Sequence, residues 1–235
     1  SDKIEFRDLD ESYWLNISLK STSANSSINH AKFKRGGKWF NSYSLDEEKA
    51  LLTIIGNSTP VSNTVFEDSF SAGLRMINST SSVTSGTFSA GTTTADNIGL
   101  FISSGNPSVS GNTFSKNHIG LKINSGALAN VSNNIFSDNI SYAVDSSDSY
   151  NTFSGNSGSG NGKNGILLSG DISSAGATST YPANALSYFL GLSPYSHPKI
   201  PAGSGAVIGA GTTWLGESNA SRLEVSGTLK LEGSD

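Results

Sequence analysis

Small groups of hydrophobic residues recur along the chain in a fixed order, separated by polar residues and glycine. The first group is an aliphatic residue followed five positions later by phenylalanine, and the second reads Gly-Leu-x-Ile or a close variant. Short runs of alternating apolar and polar residues indicate half-buried β-strands, so each copy of the pattern predicts two or three strands. The first group occurs at Ile28/Phe33, Val61/Phe66, Val83/Phe88, Val109/Phe114 and Val131/Phe136, and the second begins at Gly73, Gly99, Gly120 and Gly165.

The spacing of the phenylalanines sets the period of the pattern. From Phe33 to Phe153 the successive intervals are 33, 22, 26, 22 and 17 residues. A period near 22 that contains only short strands is typical of a solenoid. One coil cannot bury its own apolar edge, but coils stacked about 4.8 Å apart bury continuous columns of side chains. The pattern therefore predicts an all-β parallel solenoid with about 22 residues per coil over residues 1–180.

Asparagine recurs in phase with the phenylalanines. One set stands two residues before a phenylalanine, and a second set stands three residues after one. Asparagine tolerates the left-handed backbone of sharp corners, and stacked amides form hydrogen bonds along a column. We predict an asparagine ladder through Asn112, Asn134 and Asn151, with a second column at Asn117, Asn139 and Asn156.

The composition excludes several classes of protein. The 235 residues carry a net charge of −4, only 14% are charged, and nearly half are Ser, Thr, Asn or Gly. The absence of cysteine excludes a disulfide scaffold, and the weak charge gives no basis for a nucleic-acid partner. No apolar run approaches the ~20 residues of a membrane span, so we expect no direct span. Because the chain begins with Ser1 and its single methionine is Met76, we expect a processed form or a fragment.

The repeats resemble those of a known superfamily. Residues 109–123, which read Val-Ser-Gly-Asn-Thr-Phe-Ser-Lys-Asn-His-Ile-Gly-Leu-Lys-Ile, are similar to the right-handed parallel β-helix repeats of pectin-lyase-like proteins. The resemblance covers roughly residues 14–170 and implies a right-handed parallel β-helix. It says little about function, because that fold carries lyases, hydrolases, epimerases, phage spikes and adhesins.

The two ends of the chain resemble halves of one element that opens β-helical units in large bacterial and archaeal surface proteins. Residues 203–235 end in apolar residues that alternate with polar ones around a Ser-Gly turn, which predicts two half-buried strands. The strands that the resemblance implies should follow lie at the other end of the chain. Head-to-tail stacking of separate subunits or of tandem units would join the halves through heterologous contacts. The predicted assembly interface comprises Ile4, Phe6, Trp14, Val225, Leu229 and Leu231. An ordinary end cap is the alternative for residues 203–235.

Two segments interrupt the repeat. Residues 181–202 contain four of the six prolines and several aromatic residues, and positions 183–192 predict a short helix that begins after Pro182. We interpret this Pro-rich stretch as an excursion whose aromatic residues pack against the coils, with sugar binding as the alternative. Residues 34–50 are rich in charge and predict a charged loop between coils.

Residues suited to catalysis are sparse. A polysaccharide lyase on this fold needs a base and either cations or a calcium site to neutralise the substrate carboxylate. The outward column of Arg75, Phe101 and Lys122 is the best cationic stripe, and no clustered carboxylates accompany it. The histidines are dispersed and cysteine is absent, so we expect no zinc site and no cofactor. Candidate glycan attachment sites, in the number that chance predicts, are Asn16, Asn25, Asn78, Asn130, Asn139 and Asn219.

Three functions are compatible with these features. The leading hypothesis is a non-enzymatic, extracellular structural protein of the cell surface, a subunit or repeat unit of a filament or stalk whose partner is another copy of itself. The second is a carbohydrate-binding or adhesin module that binds surface polysaccharide through the Arg75, Phe101 and Lys122 face or near Tyr188 and Phe189. The third is a polysaccharide lyase-like enzyme.

Overall fold

The protein is a parallel β-solenoid. The computed structural model describes residues 3–7, 16–23, 25–37, 49–90, 97–147, 150–191 and 197–234. This part of the chain contains 27 strands and no helix, and its strand pairs are parallel. The predicted all-β solenoid is therefore confirmed.

Three long sheets form the walls, and each successive coil adds one strand to each. The leucine sheet consists of β2 (Ile17–Leu19), β5 (Leu52–Ile55), β8 (Ala72–Ile77), β11 (Ile98–Ile102), β14 (Ile119–Ile123), β17 (Tyr142–Ser147), β20 (Lys163–Ser169), β22 (Ser187–Leu190) and β25 (Trp214–Gly216). The phenylalanine sheet consists of β1 (Ile4–Phe6), β4 (Ala31–Lys34), β7 (Val65–Glu67), β10 (Thr87–Ser89), β13 (Thr113–Ser115), β16 (Ile135–Ser137) and β19 (Ser157–Ser159). The valine sheet consists of β3 (Ile28–Asn29), β6 (Val61–Ser62), β9 (Ser82–Thr84), β12 (Ser108–Ser110), β15 (Asn130–Ser132) and β18 (Thr152–Ser154).

Two short sheets complete the C-terminal coils. One contains β21 (Thr178–Tyr181), β24 (Gly205–Ile208) and β27 (Thr228–Leu231), and the other contains β23 (Lys199–Ile200) and β26 (Glu224–Val225). The strands predicted within residues 203–235 therefore exist, and they add coils to the solenoid.

Equivalent residues of successive coils are paired, so like side chains stack in columns. The phenylalanine column has ring centroids 4.7–5.3 Å apart with nearly parallel planes, which is close to the spacing between strands. It runs through Phe6, Phe33, Phe66, Phe88, Phe114 and Phe136. Buried leucine, isoleucine and valine columns line the other two walls.

The glycine of the Gly-Leu-x-Ile group is required by this packing. A Cβ atom at Gly120 would lie 2.7 Å from the Ala143 carbonyl oxygen and 2.7 Å from the ring of Phe136. At Gly99 the carbonyl of Gly120 and the ring of Phe114 are equally close. The phenylalanine rings fill the space that a side chain here would occupy, which explains why the two groups of the repeat occur together.

Phe153 does not continue the phenylalanine column. It pairs with Val131 in the valine sheet, and Gly158 pairs with Phe136 below the last stacked ring. The reason is the period: Phe153 lies 22 residues after Val131 but only 17 after Phe136. The sequence placed this residue in the wrong column because residue type was weighed above spacing.

The short helix predicted at residues 183–192 is wrong. Within this stretch Ser187–Leu190 form β22, which pairs with β20. The side chains of Tyr181 and Tyr188 are buried in the core, where the Tyr181 hydroxyl donates to the carbonyl of Ile172 and the Tyr188 hydroxyl to that of Pro182. These bonds satisfy the polar ends of two large residues, so the segment continues the solenoid. The packing interpretation of these tyrosines is confirmed.

The predicted charged loop near 34–50 falls mostly outside the described residues, because positions 38–48 are among those not described. At its start, Lys34 forms ion pairs with Glu67 and Asp68 at 3.3 and 3.8 Å. Burial raises the pKa of Glu67, but the hydrogen bonds and charges of Lys32 and Lys34 outweigh it, so the pKa is lowered overall.

Candidate functional site

The two ends of the solenoid are the first candidate surface. The N-terminal end presents β1, β2 and β3, and the C-terminal end presents β25, β26 and β27. Among the described residues, each of these six strands pairs on one side only. The outer side therefore carries the backbone hydrogen-bonding groups of a parallel sheet edge.

Apolar side chains of the N-terminal end are exposed. Ile4 and Phe6 are 69% and 40% exposed, although they lie in columns that are buried one coil further in. Phe6 stacks on Phe33 with one face of its ring. The third predicted interface residue at this end, Trp14, lies outside the described residues.

The C-terminal end is also apolar. Leu231 is 69% exposed and Val225 is exposed, whereas Leu229 is partly buried against the core. The sequence did not single out Leu215, which is exposed on β25, or the neighbouring Trp214. Their position could have been found by extending the 22-residue period beyond Phe189. The five described residues of the predicted interface thus lie at the two opposite ends of the stack.

A hollow opens at the C-terminal end. It lies between the last residues of β24 and β27 and the first residue of β25. Small residues form its floor, so the apolar walls stand clear of one another. Its lining comprises Ile208, Gly209, Ala210, Gly211, Thr212, Trp214, Leu231, Glu232 and Gly233.

Two asparagine ladders brace the corners between the sheets. In each step, the amide oxygen of one asparagine accepts hydrogen bonds from the backbone N–H and side-chain amide of the preceding one. The ladder between the valine and phenylalanine sheets runs through Asn112, Asn134, Asn156 and Asn184, and the ladder between the phenylalanine and leucine sheets runs through Asn117, Asn139, Asn161 and Asn164.

The predicted ladder is correct for Asn112 and Asn134 and wrong for Asn151. Asn151 accepts from the backbone N–H of Ala129 and donates to Ser146, which replaces an aliphatic residue in the leucine sheet. It left the ladder for the same reason that Phe153 left its column. Asn156, 22 residues after Asn134, takes the next place.

Corner conformation is also provided differently from the prediction. The left-handed φ angles belong to the residue before each ladder asparagine, so the asparagines themselves serve as hydrogen-bonding groups. Examples are Gly111, Asn133 and Gly155, with φ of 65°, 55° and 62°.

Burial removes one candidate glycan site. Asn139 is 1% exposed and its amide is bonded within the ladder, so a glycan on it is incompatible with this fold. The Asn16 amide donates to Ala50 and Thr53. The remaining candidates, Asn25, Asn78, Asn130 and Asn219, are exposed.

The outward column of the leucine sheet is the second candidate surface. Arg75, Phe101 and Lys122 are paired in register, as predicted. The Arg75 guanidinium lies 4.6 Å from the centre of the Phe101 ring and the residue is only 8% exposed. Lys122 forms an ion pair with Asp145 at 3.5 Å. These contacts neutralise the stripe and bury part of it, which leaves little free charge for an acidic substrate.

Further along this face lies an aromatic–ionic cluster that the sequence did not reveal. Lys163 forms an ion pair with Glu217 and lies 5.4 and 5.5 Å from the ring centres of Tyr142 and Phe189. Burial, followed by the hydrogen bond and charge of Glu217, raises the pKa of Tyr142 well above its usual value. Residues separated by up to 75 positions meet here, so only the register of the coils could have predicted the cluster.

Metal and membrane sites were sought in the same residues. In the described part of the chain, no group of three or more His, Asp or Glu side chains is placed to hold a metal ion. The described residues also contain no helix long and apolar enough to cross a membrane.

Comparison with known proteins assigns the family. Residues 17–178 match the family described as the right handed beta helix region. The chain belongs to this family. The predicted right-handed parallel β-helix is therefore confirmed. No curated protein and no solved structure matches the chain. The matched region of this right-handed β-helix begins at β2 and stops at the first residue of β21, so β1 and most of the C-terminal coils lie outside it.

Proposed function

We propose that this β-helix is an extracellular structural protein, a subunit or repeat unit of a surface filament or stalk built by head-to-tail stacking. The observation that carries the proposal is that both ends are open. Each presents three edge strands and exposed apolar side chains of core columns, such as Ile4 at one end and Leu231 at the other.

Physical chemistry favours covering these ends. An unpaired strand edge pairs readily with another chain, and natural solenoids usually cap their terminal coils. Stacking one copy on another would satisfy the backbone groups and bury the exposed side chains. The two ends differ, so the contact is heterologous and extends into a fibre unless its rotation closes a ring.

The side walls suit a rod rather than an enzyme. They consist largely of Ser, Thr and Asn, and the outward cations described above are bonded to neighbouring groups. An extracellular location is consistent with the exposed candidate glycan sites and remains part of the proposal.

Sedimentation velocity and negative-stain microscopy over a range of concentrations test the proposal. We expect linear particles, and their loss on changing Leu229 and Leu231 to Asp. The matched control changes Leu128 and Ile135, which are exposed on the side wall, to Asp and should leave assembly intact. Particles that stay monomeric at high concentration would contradict the proposal.

Carbohydrate binding is a second candidate function, and the aromatic–ionic cluster favours it. Aromatic rings beside ionic groups offer both an apolar platform and hydrogen bonds to a sugar. Calorimetric titration with neutral and acidic oligosaccharides tests this, with Phe189→Ala as the variant that should lose binding. The absence of heat with every oligosaccharide would remove the candidate.

A further inference from the structure

We propose, on the basis of the head-to-tail function above, that Phe6 and Ile4 of one copy enter the hollow at the C-terminal end of the next. This contact aligns the coils of the two copies, so that Ile17 lies on Trp214. The partner is a second copy of this chain.

The order of strands within a coil supports this placement. The chain passes from the valine sheet to the phenylalanine sheet and then to the leucine sheet in each coil. Asn184 continues the ladder at the corner between the first two sheets and follows directly after β21. In addition, β21 contacts β18. The strands β21, β24 and β27 therefore occupy the position of the valine sheet.

The position that follows β27 is that of the phenylalanine sheet, which β1 holds at the other end. In the last coil, residues 209–213 cross this position without forming a strand. The hollow lies on their outer side. Its floor has only small side chains, including Ala210, whereas Ile208 and Trp214 form apolar walls. The C-terminal end thus lacks an aromatic side chain at the position where the N-terminal end exposes Phe6.

The register follows from the columns of the leucine sheet. The inward column that begins at Ile17 continues through Leu52 and seven further coils, and it ends at Trp214. If stacking continues it, Ser18 of one copy lies beside Leu215 of the next, both facing outward. Leu19 then lies over Gly216, where the absence of a side chain leaves space.

A cysteine cross-link tests this register. The chain has no cysteine, so Ser18→Cys with Leu215→Cys provides the only thiols. Within one copy these positions are roughly 38 Å apart, eight interstrand steps of about 4.8 Å. Between stacked copies they are about 4.8 Å apart, within the range of a disulfide. Mild oxidation of assembled protein should give a ladder of covalent multimers on a non-reducing gel.

The matched control is Ser18→Cys with Thr213→Cys. Thr213 is also exposed but lies two residues earlier, about 8 Å from Ser18 in the proposed register and too far for a disulfide. Linear particles without a cross-link in the first pair, or with one in the control pair, would overturn this inference and leave the proposed function intact. Absence of linear particles in the native chain would overturn both.

An exchange of side chains tests the hollow. Phe6→Ala and Ala210→Phe should each raise the critical concentration for assembly about tenfold or more, the first by removing the inserted ring and the second by filling its place. The double variant should return to within about threefold of the native value. Circular dichroism of dilute monomer reports on folding independently. If Ala210→Phe left assembly unchanged, the hollow would not be the contact.

Discussion

Replacing one asparagine of a ladder should destabilise the solenoid far more than replacing an exposed asparagine. In the native chain the Asn134 amide oxygen accepts from the backbone N–H and side-chain amide of Asn112, each at 3.0 Å. Its amide nitrogen donates to the carbonyl of Val109 at 2.9 Å and to Asn156 at 3.0 Å. Asn134→Ala removes these bonds together.

The magnitude follows from burial. The N–H of Asn112 has no substitute acceptor in the described residues, and an orphaned buried donor costs about 1–3 kcal/mol. The lost bond to Val109 adds about 0.5–1.5 kcal/mol. We expect Asn134→Ala to lower the free energy of unfolding by about 2–4 kcal/mol, which corresponds to roughly 5–15 °C in Tm for a chain of this size.

The assay is thermal unfolding, supported by hydrogen exchange of the Asn112 amide. Asn130→Ala is the control, because that side chain is exposed and accepts only from Thr152; it should change stability by no more than about 0.5 kcal/mol. Exchange at Asn112 should accelerate in Asn134→Ala while the amide of Asn117 in the other ladder stays protected. Equal stability of the two variants would refute the view that the ladder stabilises the fold.

Three further predictions concern the core and surface. Gly120→Ala should lower the free energy of unfolding by about 1–3 kcal/mol because its Cβ has no space, whereas Gly111→Asn, in an open left-handed corner, should be nearly neutral in urea titration. Burial raises the pKa of Tyr188 to about 12 and that of Tyr181 further; since the unfolded hydroxyls ionise near pH 10, stability should be constant below pH 10 and fall from there to about pH 12, and Tyr181→Phe should reduce this fall in denaturant titrations at pH 9 and 11. If the native protein is glycosylated, mass spectrometry of its peptides should find Asn139 unmodified.

Each of these predictions has an outcome that would contradict it. Normal stability of Gly120→Ala would mean that the phenylalanine ring moves aside at little cost. An unchanged alkaline slope in Tyr181→Phe would mean that this hydroxyl is not buried. A glycan on Asn139 would require the ladder to be broken at that coil.

Periodicity predicted the fold because stacking makes position modulo 22 the main structural variable. The columns through Val109 and Phe114 followed directly from the spacing of like residues. The errors arose where residue type and period disagreed, as at Phe153 and Asn151. At residues 183–192, the prolines and the loss of the 22-residue spacing obscured a strand whose alternation of Leu186, Ser187, Tyr188 and Phe189 has a period of two.

The candidate surfaces were predicted less completely. The exposed apolar residues of both ends were visible because the terminal strands alternate clearly. The hollow was not, since it is defined by what residues 209–213 lack and by their position in the coil. The cluster of Lys163 and Glu217 depends on which outward residues share a column, and this was known only once the number of residues in every coil was known.

The axial repeat of the assembled protein tests the head-to-tail proposal most directly. The leucine sheet has nine strands in the described chain, and the next copy would add its β2 beyond β25. At about 4.8 Å per strand, one copy advances the fibre by roughly 43 Å. Fibre diffraction or cryo-electron microscopy should show this repeat together with a meridional spacing near 4.8 Å. A protein that remains monomeric, or fibres whose axial repeat does not match nine strands, would contradict the proposal.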